Sequence, residues 1–127
     1  MSVLFVFLGG GIGSVSRYLV GELWKVLGFN FPLATLSVNI IGSYIIGFVW
    51  SYLLTKPNQS LGLFCITGFL GGFTTFSSFS LETIQLFMKG NVWLGISNIG
   101  LNLLFSLLGV YLGMKSFTIL KIYFEAT

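Results

Sequence analysis

Long apolar stretches separated by three brief polar interruptions make up almost the whole chain. Residues 3–23, 32–54, 61–88 and 92–114 are each apolar enough to cross a bilayer as a helix, which takes about 20 residues. The interruptions, 25–31, 55–60 and 89–91, gather turn formers and the charges of Lys25, Lys56 and Lys89. They are too short for a soluble domain, so the pattern predicts an all-α membrane protein in which sequential spans run antiparallel. The whole of 1–127 is then one four-helix transmembrane domain. The first span does not read as a cleavable signal: it lacks a basic leading segment and is long and glycine-rich. The tail beyond Lys115 is short and mixed and carries no clear signal of its own.

The third stretch departs from the pattern. As a straight helix, 61–88 would extend roughly 42 Å, against a hydrocarbon core of ~30 Å. Gly68, Gly71 and Gly72 weaken helix at its middle, and Thr74, Thr75, Phe76, Ser77, Ser78 and Phe79 follow. A lone glycine pair would read as a packing kink. The hydroxyl-and-phenyl run beside it favours a helix broken at about 71–75, with the freed backbone buried in protein or lining a watery cavity. Two half-helices then meet near mid-membrane. Carbonyls at one end suit a small cation and amides at the other an anion. Phe76 and Phe79, three apart, point the same way if helix resumes there, and Ser77 and Ser78 take adjacent faces.

The other spans carry small and polar stripes. Gly9 and Gly13 allow close helix approach, and Arg17 follows within the same span. An arginine at membrane depth costs several kcal/mol, so it belongs near the interface, the favoured reading, or facing an aqueous vestibule. In either place it draws anions. Asn39, Gly42 and Ser43 share a face of the second span, as an interhelical hydrogen bond or as an amide lining a path. Gly95, Asn98, Asn102, Ser106, Gly109 and Gly113 form a continuous stripe on the fourth. Packing alone would explain its glycines; two asparagines and a serine in line favour a polar track.

Composition sharpens this. Of 127 residues 55% are hydrophobic and 7% charged, and mean hydropathy is +0.98, more apolar surface than a soluble chain this small could hide. There is no histidine and one cysteine, Cys65, read as a small buried hydrophobe. Zinc sites and Ser–His or Cys–His nucleophiles are therefore poor expectations, and the chain is not expected to be an enzyme. The acids Glu22, Glu82 and Glu125 are far apart, and Glu82 is assigned a structural role near the interface. Lys56, Lys115 and Lys121 fall on the side of the N-terminus, and Lys25, Lys89 and Arg17 on the other. That balance removes the usual determinant of orientation. Four spans also enclose little of a pathway alone. Together these predict a homodimer, with subunits of opposite orientation and the break near the two-fold axis. The scattered charges give no footprint for nucleic acid.

The polar groups within the spans are mostly neutral donors, Asn39, Ser77, Ser78, Asn102 and Ser106, with no acid at a span centre to carry a cation. Such a path suits a small anion. Phenyl edges carry the positive part of the ring quadrupole and could help replace its water, although phenylalanines three apart are ordinarily core.

These residues resemble the Fluc (CrcB) family of fluoride channels. The resemblance spans about 5–114 and rests on three motifs. They are Gly9, Gly10, Gly11, Ile12 and Gly13 with Ser16, Arg17 and Tyr18; Asn39, Ile40, Ile41, Gly42 and Ser43 with Gly47; and Gly68, Gly71, Gly72, Thr74, Thr75, Phe76, Ser77, Ser78 and Phe79 with Glu82. The last is highly specific. The resemblance implies an antiparallel, dual-topology homodimer with two fluoride pores, in the cell (inner) membrane. It implies that Phe76 and Phe79 line the path, that Asn39 is the pore asparagine and that Arg17 lies in the vestibule. The carbonyls of Gly71 and Thr74 would hold a structural sodium ion at the dimer centre. Ser77 and Ser78 stand where the family typically has Ser-Thr. Asn102 and Ser106 fall where it often has hydroxyls, Asn102 being a substitution. The expected function is passive, fluoride-selective export that lowers cytoplasmic fluoride toxicity. Two rivals are a small dual-topology multidrug transporter, which would carry an acid deep in its first span, and a non-transporting scaffold subunit.

Overall fold

The computed structural model describes residues 1–28 and 31–126. Helix α1 (Ser2–Leu27) ends on Gly28, whose φ of 71° closes the helix in the left-handed conformation that glycine adopts without strain. Helix α2 (Leu33–Thr55) returns across the membrane. The third span runs from Gln59 to Met88 in pieces. Asn58 caps the short α3 (Gln59–Gly62) by accepting from the Leu61 N–H at 2.9 Å. The chain then widens into a π-helix, Leu63–Leu70, and tightens again in α4 (Gly71–Phe73). After two extended residues, α5 (Phe76–Met88) completes the span. Helix α6 (Val92–Glu125) follows a turn at Gly90. Among the described residues, four helices are long and apolar enough to cross a membrane, the third of them bent.

Chain-neighbouring spans are not the main packing partners. The close contacts of α1 are with the first half of the third span, and those of α2 are with α6. Contact positions rise together in both cases, so each is a parallel pair. A Cβ at Gly9 would strike Phe64 O, one at Gly13 would strike Phe69 O, and one at Gly72 would come within 2.5 Å of Gly10 O. In the second pair, Gly47 lies against the backbone of Val110 and Gly113 against that of Tyr44. Backbones approach this closely only where a glycine, with no side chain, stands at the contact. Lipid supplies no hydrophobic drive for helix association, so this van der Waals contact is what joins each pair.

Two expectations need correction. The region 71–75 is not uniformly broken: Gly71–Phe73 is helical, and only Thr74 and Thr75 are extended, with ψ of 160° and 117°. The distortion expected of the glycines is expressed earlier, as the π-helix, where the Gly71 N–H reaches back five residues to Ile66 O. The fourth helix does not stop near 114 but runs 34 residues, about 51 Å, to Glu125. Its extension is tied to α2 by Phe117, whose ring meets Phe48 edge-on at 5.5 Å and Tyr52 at 6.1 Å.

Candidate functional site

The break is built by the absence of local partners and the presence of distant ones. A continuous helix would give the Thr75 N–H to Gly71 O. It goes instead to Asn39 Oδ1 on α2, at 2.9 Å. Asn39 Nδ2 then donates to Thr75 O at 3.2 Å and to Asn102 Oδ1 on α6 at 3.0 Å. One side chain thus satisfies both main-chain groups of Thr75, which would otherwise be costly at membrane depth. Thr75 also caps α5, its hydroxyl accepting from the Ser78 N–H at 3.2 Å. The Thr74 hydroxyl donates back to Leu70 O at 2.9 Å, closing the preceding turn.

Two cavities meet at this break. The inner one, about 430 Å3, is an open cleft between α2, α6 and the third span. It is lined by Asn39, Phe76, Phe79, Asn102 and Ser106, and by Gly71 and Thr74 at its third-span wall. The two phenyl rings lie 5.4 Å apart, tilted by 54°. They differ in surroundings: Phe79 is 8% exposed and Phe76 75% exposed on this single chain. The outer cavity, about 520 Å3, opens among α1, α2 and α5 and is lined by Arg17, Lys25, Thr35, Thr75, Ser78 and Glu82, among others. Thr75 lines both cavities. Ser77 lines neither; it is exposed, with its hydroxyl 3.2 Å from that of Thr75.

Arg17 reaches towards the break. Its guanidinium donates to Thr74 O at 3.2 Å, placing a permanent positive charge at the break and at the inner end of the outer cavity. Lys25, at the outer end, is paired with Glu22 at 2.6 Å on the surface. Glu82 faces the same cavity: Oε1 accepts from the Thr35 hydroxyl at 2.7 Å, and Oε2 is buried without a partner. Thr35 and Thr75 are the residues that sequence reasoning underused. Thr75 had a local signal, a threonine preceding a helix start with a serine three residues on; the Thr35–Glu82 pairing joins positions 47 apart and had none.

The stripe on α6 is both packed and polar. Gly95, Asn98, Asn102, Gly109 and Gly113 are buried and Ser106 is half-buried, but of its polar members only Asn102 and Ser106 reach the inner cleft. Both hydrogens of the Asn39 amide are already given, to Thr75 and Asn102. An ion receiving an N–H from Asn39 must displace one of these. Cys65 is half-buried within the π-helix.

The main-chain oxygens of Gly71 and Thr74 are the right kind of ligand for an alkali cation. Gly71 O has lost the helical donor it would have had in Thr75. Thr74 O has one lone pair engaged by Arg17 and a second to offer. One chain supplies two such oxygens, fewer than a hard cation takes.

The family described as "CrcB-like protein, Camphor Resistance (CrcB)" matches residues 4–114. A protein of Ruminiclostridium cellulolyticum named fluoride-specific ion channel FluC is 47% identical over 116 residues, covering 89% of each chain. Proteins of the same name are 43% identical over 122 residues in Dehalococcoides mccartyi, covering 94% of each chain, and 45% identical over 118 residues in Agrobacterium fabrum, covering 90% of this chain and 94% of that one.

Proposed function

The chain belongs to the CrcB family, and on that premise we propose that it is a multi-pass membrane channel selective for fluoride. The observation that carries this reading is the Thr74–Thr75 break, held by Asn39, where a cavity lined by the Phe76 and Phe79 rings meets one with a fixed arginine. Hydrogen fluoride crosses bilayers as a neutral molecule and dissociates in the more alkaline cytoplasm. A negative membrane potential then drives the trapped anion outward through any selective passive path, with no coupled energy source, and so lowers its toxicity. Arg17 attracts the anion to the break. Beyond it, hydroxyls, amides and the edges of Phe76 and Phe79 replace water around a compact ion. Chloride is larger and fits such a passage poorly.

The working unit is a homodimer of oppositely oriented copies with two paths. The exposed Phe76, the open inner cleft and the exposed Gly71 lie together, and a second copy over that face would cover all three. Its two-fold axis would bring a second Gly71 O and Thr74 O to the first pair, and these four oxygens would hold a sodium ion that joins the subunits. The deep acid of a multidrug transporter is not matched, since Glu22 is spent on a surface pair with Lys25.

Fluoride efflux from liposomes holding the purified protein, with chloride as the paired control, tests the reading. Fast fluoride release with negligible chloride release is the expected result. Absence of fluoride release from a folded dimer in sodium would refute it.

A further inference from the structure

Asn98 lines neither cavity, is 0% exposed, and still has its side-chain nitrogen and oxygen engaged. Its Nδ2 donates to the Thr83 hydroxyl on α5 at 2.9 Å. Its Oδ1 and main-chain oxygen both accept from Asn102 Nδ2, at 3.0 Å each. The Thr83 hydroxyl passes its own hydrogen to Phe79 O at 2.7 Å. Asn102, oriented from below in this way, has only Oδ1 to turn towards Asn39, and Asn39 then closes on Thr75. Hydrogen bonds therefore run without a gap from the turn that carries Phe79, through Thr83, Asn98, Asn102 and Asn39, to the break.

This chain fixes amide orientation. An asparagine side chain can turn over and exchange its donor for its acceptor. Asn102 with Oδ1 directed at Asn98 would present an N–H to Asn39 Nδ2, donor against donor. Asn98 with Nδ2 committed to Thr83 leaves only Oδ1 for Asn102. Main-chain groups set the direction, the Thr75 N–H at one end and the Asn98 carbonyl in the middle, and the Thr83 hydroxyl completes it by giving its hydrogen to Phe79 O and a lone pair to Asn98.

We propose that Asn98 and Thr83 are positioning residues of the fluoride path, setting the amide orientation of Asn102 and thereby of Asn39 and the broken backbone. The inference rests on the channel reading above. Neither residue touches the ion. Removing either loosens Asn102, which then keeps only the main-chain oxygen of residue 98 as its fixed acceptor, and so weakens the hold on the Asn102–Asn39 bond and on the donor pattern of the cleft.

The test is liposome flux of fluoride and chloride for the full-length wild type, Asn98→Ala, Thr83→Val, the double variant and Thr83→Ser, each normalised to folded dimer. Asn98→Ala and Thr83→Val should each lower fluoride flux by about tenfold or more, the scale of losing an orienting partner, and raise chloride flux relative to fluoride. The double variant should be no worse than either alone, since both cut one chain of bonds. Thr83→Ser, which keeps the hydroxyl, should recover rate and discrimination. Thr83→Val matches threonine in shape and carries the comparison if Asn98→Ala does not fold. Unchanged flux in a folded Thr83→Val, or a loss of rate with the chloride-to-fluoride ratio intact, overturns the proposal. A wild type without fluoride flux refutes the channel reading itself, a result distinct from either.

Discussion

The inside of each helix pair and the seam between the pairs are held by different means. Inside the pairs, α1 meets the π-helix and α2 meets α6 through glycines pressed on bare backbone: Gly9 on Phe64, Gly13 on Phe69, Gly113 on Tyr44. Across the seam the links are polar: Thr35 to Glu82, Asn39 to Thr75 twice, and Asn98 to Thr83. Close packing is indifferent to charge, so it sets distance and register. Hydrogen bonds fix which atom faces which, so they set chemistry. The two cavities that meet at the break both open on this seam.

That division can be broken from either side. The largest effect belongs to Gly13→Ala. Its Cβ would collide with main-chain atoms of Phe69 and Phe73, which cannot yield as a side chain can, so a loss of about 3 kcal/mol is expected. Thermal unfolding in detergent measures it, and the surviving dimers should still discriminate fluoride from chloride. Asn39→Ala is the converse. It leaves the Thr75 N–H and C=O without partners, for about 1–2 kcal/mol, yet it should abolish fluoride flux in protein that still assembles. Phe117→Ala removes two edge-on ring contacts at the far end of the second pair, for about 1 kcal/mol, and flux should be unaltered. Gly11→Ala sharpens the comparison by its silence: nothing lies within 4 Å of the added carbon, so stability should move by no more than about 0.5 kcal/mol and flux not at all. Equal losses from Gly11→Ala and Gly13→Ala would remove backbone contact as the explanation of the pairs.

Hydropathy reveals four spans because lipid demands unbroken apolar length, and Gly71–Ser78 reveals the break because no helix prefers that run. The π-helix was not legible. Leu63–Leu70 is an ordinary apolar run, and its widening goes with the glycine face of α1, more than 50 positions away. The end of α6 was missed because a hydropathy reading stops at Lys115, whereas Phe117 and the Lys121–Glu125 pair carry the helix on. The stripe on α6 was visible, but not the division of labour within it. Asn98 and Asn102 look alike in sequence; only the position of Thr83 turns one into an anchor and leaves the other at the cleft. Arg17 was legible as a costly residue, while its direction depended on a carbonyl that the break sets free.

Asn39 has a further consequence for how the chain is made. Neither half of the third span crosses the hydrocarbon alone: residues 59–73 reach about 22 Å and 76–88 about 20 Å, against a core of ~30 Å. The span must therefore enter with its open backbone at Thr74 and Thr75. Synthesis proceeds from the N-terminus, so α2, and Asn39 with it, leaves the ribosome before Thr75. The amide that closes the gap is made before the gap itself, and α6 then brings Asn102 and Asn98 to lock it from behind.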